Sequence, residues 1–257
     1  MNEMFGIDIS KWQGDFDMRR AVEQEGVQFV ILKCGGGDKG LYKDKQFEDN
    51  YKKAKALGIP VGTYFYSKAL SLDDARKEAE YCYSLISNKQ FELPIYIDVE
   101  EKAMFALGSE KLCSIVNVFC EYMEARKYYV GIYSSSSYFK THLNKLDRYT
   151  KWIAQWNSTK PANCALWQFG GETNKIRSNK INGITVDQDY LYTDFMSVIK
   201  RLKLNGFGRK TEEEIACEIV DGKGNWGNGA ERMENLRKAG YDYSVVQAIV
   251  NQLVKAR

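Results

Sequence analysis

Histidine is nearly missing from this chain: among 257 residues there is one, His142, in the polar stretch Lys140-Thr-His-Leu-Asn144. Zinc sites built on two or three imidazoles are therefore excluded. A Ser-His-Asp triad would rest on a histidine with no obvious partner nearby. No cofactor and no metal is expected. Charge of one sign is also scarce: a net +3 without a basic cluster leaves no footprint for nucleic acid. No apolar run approaches the length of a membrane span, so no membrane insertion is expected. The opening Met1-Asn-Glu-Met-Phe-Gly-Ile-Asp8 lacks the basic start and apolar core of a secretory signal, which points to synthesis and folding in the cytoplasm. The six cysteines (34, 82, 113, 120, 164 and 217) contain no CxxC pair. In a cytoplasmic chain of this size, buried free thiols fit better than disulfides. Cys113 and Cys120, seven apart on an expected helix, share a face suited to core packing.

What is present is carried first by Leu93-Pro-Ile-Tyr-Ile-Asp-Val-Glu100. Ile95, Tyr96, Ile97 and Val99 form a short apolar run suited to a buried strand. Side chains alternate along a strand, so Asp98 and Glu100 emerge on one face. Two readings stand at this point. The strand ends in solvent, where Asp and Glu are common, or the pair does general acid work on a glycosidic bond, with each charge raising the other's pKa.

Strand patterns recur at Phe5–Ile9, Val27–Lys33, Pro60–Tyr66, Pro94–Val99, Tyr129–Ser134, Lys151–Trp156, Ala165–Phe169 and Ile184–Asp187. Helical stretches separate the early ones. Ser71-Leu-Asp-Asp74 has the form of a helix start, and Ser109 is expected to cap a helix with Leu112, Ile115, Val116, Phe119 and Met123 on one face. Strand–helix alternation followed by shorter connections predicts an α/β fold: an irregular TIM-like barrel of five β/α units and three plain strands, (β/α)5(β)3. In such barrels chemistry sits at the carboxyl ends of the strands. Asp8, the Asp98/Glu100 pair, Asp187 and Asp189 fall there, with Tyr64, Tyr66, Tyr133, Trp156, Trp167 and Gln168. Acids among aromatics suit a carbohydrate cleft, because sugars offer apolar CH faces to rings and hydroxyls to polar groups. Each has a plainer alternative: tyrosines packing the sheet, tryptophans as core bulk, Asp8 capping a turn, Asp189 facing solvent, and Lys33 reaching outward beside Cys34-Gly-Gly-Gly37.

The character changes after Lys200. Residues 1–203 are expected to form the barrel, 204–210 a linker, and 211–257 a compact three-helix bundle. Thr211-Glu-Glu-Glu214 opens its first helix, Gly240 ends the second and Ser244-x-x-Gln247 opens the third. The bundle carries eight acids against six Lys/Arg, a net −2 that leaves +5 on residues 1–210. That excess weakly favours approach to an anionic wall.

With those residues in place, the chain resembles the glycoside hydrolase family 25 muramidases, the Chalaropsis-type lysozymes. The matching pieces are Gly6-Ile-Asp-Ile-Ser-Lys-Trp-Gln13, Phe29-Val-Ile-Leu-Lys33, Gly62-Thr-Tyr-Phe-Tyr66, Ile97-Asp-Val-Glu100, Gly131-Ile-Tyr133, Trp152-Ile-Ala-Gln-Trp156, Leu166-Trp-Gln168 and Val186-Asp-Gln-Asp189. The resemblance implies cleavage of the β-1,4 bond between N-acetylmuramic acid and N-acetylglucosamine in peptidoglycan. It implies Glu100 as general acid, Asp98 orienting the substrate's 2-acetamido group for retention, and Asp8 and Asp187 completing the acidic floor. Tyr64, Tyr66, Tyr133, Trp156, Gln168 and Lys33 would line the sugar subsites. A chitinase-type site expects D-x-x-D-x-D-x-E, and here Leu93 and Tyr96 occupy the two earlier acidic positions.

The last segment is similar to a short cell-wall-binding repeat first known from a pneumococcal phage lysozyme, present here once. Trp226, Asn228, Glu231, Arg232, Tyr241 and Tyr243 are its candidate wall-binding residues, although Trp226 and the tyrosines equally suit a core. Self-association through this segment is the alternative to wall binding. Together with the leaderless start, the resemblance implies a phage endolysin acting on a Gram-positive wall after release. An exported bacterial autolysin is the alternative.

Overall fold

The computed structural model describes residues 3–38 and 40–255; Met1, Asn2, Lys39, Ala256 and Arg257 lie outside the described residues. Two compact units are present, one running to Ile86 and resuming over Gln90–Phe207, the other made of Ser87–Lys89 with the chain from Gly208 onward.

In the first unit the order is β1 (Met4–Ile9), α1 (Met18–Glu25), β2 (Phe29–Gly36), β3 (Tyr42–Lys43), α2 (Phe47–Ala56), β4 (Val61–Tyr66), α3 (Leu72–Ile86) and β5 (Ile95–Asp98). Then come α4 (Lys102–Phe105), α5 (Ser109–Glu124), β6 (Val130–Ser135), α6 (Ser136–Thr141), β7 (Thr150–Ala154), β8 (Leu166–Gly170), β9 (Lys180–Ile181), β10 (Ile184–Thr185), β11 (Asp187–Leu191) and α7 (Phe195–Arg201). Eight strands close a barrel in the order β1, β2, β4, β5, β6, β7, β8, β11, with β11 pairing back onto β1. All neighbours are parallel except at β11, which runs antiparallel to β8 and β1. Five β/α units followed by three strands is the architecture expected.

The eighth strand is the one misplaced. Ile184–Thr185 belongs to a separate hairpin with Lys180–Ile181. Asn182 and Gly183, at φ 56° and 79°, form its tight turn. That is the Asn-Gly hairpin signal, which needs positive φ at both turn residues. The barrel strand starts only at Asp187 and runs in the opposite sense, so Asp187 reaches the barrel mouth at the beginning of its strand.

Period-two alternation sorts the side chains into two layers. Along β2, Val30, Leu32 and Cys34 join the outer core against the helices, whereas Phe29 and Ile31 join the inner one. The outer core takes Ala75, Ala79, Cys82 and Ile86 from α3 and Leu112, Ile115, Val116 and Phe119 from α5. Burying a Phe or Ile there contributes about 1.5–3 kcal/mol each. Inside the barrel, Phe29, Tyr96 and Trp152 meet Leu166, Leu191 and, from α7, Phe195 and Ile199. This packing requires glycines: a Cβ on Gly6 would lie 2.5 Å from the Phe29 ring, and one on Gly131 2.4 Å from Tyr96. α7 thus plugs one end, and the polar ends of the strands fill the other.

Several local expectations are revised. The Asp74 N–H does donate to Ser71 Oγ (3.1 Å), but Ser109 is the first residue of α5, and its hydroxyl instead donates to the His142 carbonyl (3.0 Å). Five of the cysteines are buried, as expected, while Cys217 is exposed; all are free thiols. The expected linker 204–210 divides. Asn205 is fully buried in the first unit, where its side chain accepts from Tyr129 N–H (2.7 Å) and donates to Leu93 O (2.8 Å).

The second unit holds α8 (Glu212–Val220), α9 (Gly229–Lys238) and α10 (Tyr243–Lys255). Thr211 and Glu214 form the anticipated capping box. α10 begins one residue early because Asp242 Oδ1 accepts the Ser244 N–H at 2.8 Å. Ile215, Ala216, Leu236, Tyr241, Val246 and Val250 make its core.

Candidate active site

The open end of the barrel gathers carboxyls. In the β1–β11 register Asp8 lies opposite Asp187 and Gly6 opposite Asp189, so three acids enter from adjacent strands. Asp98 ends β5, level with Tyr66 of β4 and Tyr133 of β6. Glu100, two residues on, stands at the rim: the residue is exposed, yet its carboxyl loses enough water that its pKa rises.

Burial is the largest cause of the upward pKa of each acid, with like charge next. Asp8 is pushed well up by burial and then by Asp187 and Asp189, against a hydrogen bond from Gln168. Asp98 is pushed well up by burial and Glu100, and Lys33 opposes the rise. Asp187 is raised to about 6 by burial, Glu100 and Glu172. Dehydration disfavours a lone carboxylate, and each neighbouring charge adds to that cost. Lys33 is the cation that acts on both Asp98 and Glu100. Its ammonium lies 4.4 Å from the centre of the Tyr66 ring and 5.6 Å from that of Tyr64, held by cation–π attraction. The outward alternative for Lys33 is thereby set aside.

A hydrogen-bond chain fixes the floor. Tyr133 Oη and Trp156 Nε1 both donate to Gln168 Oε1, at 2.9 and 3.0 Å. An indole can only donate, so the amide oxygen must face it. Gln168 Nε2 then points to Asp8 Oδ2 at 2.8 Å. Trp152 Nε1 donates to Asp189 Oδ1 at 2.7 Å, while Asp189 Oδ2 is buried with no hydrogen-bond partner among the described residues. Burial pushes the Asp189 carboxyl well up; the Trp152 hydrogen bond opposes the rise and the like charge of Asp187 adds to it. Tyr64 and Tyr133, half-buried beside the acids, are pushed well up by dehydration of their hydroxyls and by the neighbouring carboxyls, and remain phenols. Asp98 Oδ1 is buried with no hydrogen-bond partner among the described residues. No group of three or more His, Cys, Asp or Glu side chains among them is placed to hold a metal ion.

The chemistry of this arrangement is acid–base. Several carboxyls hold protons above the usual range, under a half-open rim where Trp156 is 38% exposed. Residues 7–177 match the family model described as glycosyl hydrolases family 25, and residues 213–254 match the CW_7 repeat. The chain belongs to glycosyl hydrolase family 25. It is 30% identical over 190 residues to the autolytic lysozyme of Clostridium acetobutylicum, covering 72% of this chain and 54% of that protein. The modular autolysin LytC of Streptococcus pneumoniae, solved with a synthetic peptidoglycan ligand, is 26% identical with a TM-score of 0.64, over 74% of this chain and 47% of that one. The catalytic domain of endolysin ply40, from bacteriophage P40 of Listeria monocytogenes, is 25% identical with a TM-score of 0.62, over 77% and 98%. The chain spans about half the length of the Clostridium and Streptococcus relatives.

In this family 25 barrel, Glu100, Asp98, Asp8 and Asp187 share one mouth with Tyr64, Tyr66, Tyr133, Trp156, Gln168 and Lys33. Trp167 does not: its ring packs in the outer core, and its indole donates to Gln155 O at 2.9 Å. Asp189 does not face solvent but is fully buried. Sequence reasoning missed Trp152, whose inward phase follows from two-residue spacing to Ala154 and Trp156. It also missed Gly171, where a Cβ would fall 1.9 Å from Asp187 Oδ1 and 2.8 Å from the Trp156 ring. In the CW_7 unit, Tyr241 is buried and Trp226 meets it edge-on at 6.0 Å, with its indole donating to Glu218 (3.2 Å). Tyr243 packs against the same core. Arg232 is spanned by Gly227 O, Asn228 Oδ1 and Gln247 Oε1 at 2.9–3.0 Å, while Glu231 is exposed.

Proposed function

We propose that the protein is an N-acetylmuramidase that hydrolyses the β-1,4 bond between N-acetylmuramic acid and N-acetylglucosamine, and that its CW_7 unit holds it on the wall. The Asp98/Glu100 pair inside a ring of proton-holding acids carries the reading. Glu100, at the rim, donates its proton to the leaving oxygen. The buried, unpartnered Asp98 Oδ1 accepts the N–H of the substrate's acetamide. That bond favours ionised Asp98, so substrate binding leaves the pair's proton on Glu100, where it is needed. The acetamide oxygen attacks the anomeric carbon as the glycosidic bond breaks. Water, deprotonated by the Glu100 carboxylate, opens the resulting ring with retention. Asp187, ionised above about pH 6, keeps negative charge on the floor and stabilises the positive charge that develops on the sugar, with Asp8 lining the same floor.

Reducing-end analysis of digested peptidoglycan tests this. Wild type is expected to expose N-acetylmuramic acid, and Glu100→Gln to expose none while still sedimenting with walls. New ends bearing N-acetylglucosamine, or an active Glu100→Gln, would sink the assignment. Lysis at the end of a phage cycle is the proposed setting, supported by likeness to a Listeria phage endolysin. The autolytic Clostridium relative supports the alternative of a bacterial autolysin. For the CW_7 unit, sedimentation of the whole protein with and without walls separates wall binding from self-association.

A further inference from the structure

Trp12 is 78% exposed, the most open of the large apolar side chains among the described residues. Its position is nonetheless built. It follows β1 on a single turn, Lys11–Gln13, closed by a capping box in which Trp12 N–H donates to Ser10 Oγ (3.3 Å) and Ser10 N–H to Gln13 Oε1 (3.0 Å). The fully buried Asp44 pins the same turn by accepting Lys11 N–H at 3.0 Å. Lys11 Nζ lies 5.0 Å from the Trp12 ring centre and 5.8 Å from that of Tyr42, and forms no ion pair among the described residues. Tyr42 is paired with Gly36, where a Cβ would come 2.9 Å from Tyr42 Oη and 3.0 Å from Tyr66 Cβ. Tyr66 carries Lys33, the cation of the acid site. Rings and ammonium groups thus follow one another from the carboxyls toward the open rim: Lys33 over Tyr66, Tyr42 across Gly36 from Tyr66, and Lys11 over Tyr42 and Trp12. Lys33 is engaged by Asp98 and Glu100 inside the mouth, whereas Lys11 forms no ion pair among the described residues, so its ammonium at the outer end favours an anionic part of the ligand.

Resting on the muramidase reading, we propose that Trp12, Lys11 and Tyr42 form an outer subsite for a sugar that bears an anionic peptide stem. The Trp12 ring supports the apolar face of the saccharide, and the Lys11 ammonium pairs with a stem carboxylate. The pair is exposed, so it gives selectivity rather than tight binding, about two- to fivefold, and salt weakens it.

The test compares two preparations of soluble, uncross-linked glycan strands, one with free stem carboxylates and one with those carboxylates amidated. kcat and KM are measured by reducing-end release at low and high salt for the full chain, Lys11→Gln, Lys11→Arg and Trp12→Ala. Wild type is expected to prefer free-acid strands about two- to fivefold in kcat/KM at low salt, and less at high salt. Lys11→Gln brings the two substrates level, Lys11→Arg restores the preference, and Trp12→Ala raises KM on both with little change in kcat. Equal cleavage of both strands by wild type, or an undiminished preference in Lys11→Gln, overturns the subsite and leaves the muramidase reading standing. If wild type exposes no reducing ends on either strand, the muramidase reading fails and takes the subsite with it.

Discussion

Replacing Asp187 by Asn is expected to make the barrel more stable at neutral pH and the enzyme poorer. Asp187 is held at about 6 in the fold, against 3.8 when free of the protein. Each tenfold gain in proton affinity corresponds to about 1.4 kcal/mol, so ionising this carboxyl in the folded state costs about 3 kcal/mol. The sign follows from proton counting. Between pH 3.8 and about 6 the folded state keeps a proton that the unfolded chain releases, so stability falls as pH rises through that window. The contribution is fully present below pH 4 and gone by pH 7. Asn mimics the protonated form and escapes the penalty. Urea unfolding of the barrel, followed by near-UV circular dichroism from pH 4 to 8, should therefore show Asp187→Asn about 2–3 kcal/mol more stable than wild type at pH 7 and equal to it near pH 4. Wall clearing by the variant should fall. A difference that does not vary with pH, or a variant no more stable at pH 7, would refute the placement of Asp187 among dehydrated like charges.

Asp189→Asn keeps an acceptor for Trp152 and removes a dehydrated carboxyl from beside Asp8, so its stability at pH 7 should be no lower than wild type; Asp189→Ala strands the indole N–H and should lose about 2–3 kcal/mol. Carboxyl ¹³C titration of labelled aspartate should show Asp8 titrating at lower pH in Asp189→Asn than in wild type, because one like charge is removed. Asn205→Ala leaves the Tyr129 N–H and the Leu93 carbonyl unpaired and puts a residue with a Cβ but no polar group at φ 51°, which should lower the urea midpoint by an amount equivalent to about 3 kcal/mol. Ending the chain after Phe207 should leave hydrolysis of soluble muropeptides largely intact and weaken sedimentation with walls; ending it after Asn205 also removes Phe207 from the inner barrel core and should cost stability.

Much of the site was legible because strands impose a period of two. Asp98 and Glu100, Tyr64 and Tyr66, and Trp152, Ala154 and Trp156 each keep their phase from sequence alone. What fixed the phase did not fix the direction of travel. The Asn182-Gly183 turn consumes Ile184 and Thr185 in a hairpin, and only the closed barrel shows that the next strand comes back antiparallel. Asp187 therefore lies at the mouth for a reason opposite to the one spacing suggests. Asp189 was illegible for a different reason. Its burial depends on Trp152 and Asp8, which come from strands 37 and more residues away, and contacts across that separation leave no trace in local sequence. Trp167 and Trp156 carry the same chemistry in one dimension; opposite phase sends one to the outer core and the other to the rim.

The unequal surroundings of Asp98 and Glu100 bear on why the pair needs Lys33. Burial alone ranks the buried Asp98 above the rim-standing Glu100 as the better proton holder, the reverse of what the proposed mechanism requires. Lys33 lowers both, so it cannot by itself invert the order; it draws down the proton affinity of the pair as a whole. On the proposed mechanism the inversion comes from a ligand that donates to Asp98, and the substrate's acetamide N–H is the donor closest to the reacting bond. A sugar without that group would then bind to a site whose proton remains on the wrong acid. Strands deacetylated at the muramic 2-amino group should accordingly lose kcat far more than KM, both because the nucleophile is gone and because Glu100 is no longer charged with its proton. Replacing Lys33 by Met should shift the acid limb of the pH profile upward on intact strands, as the pair then keeps its second proton to higher pH.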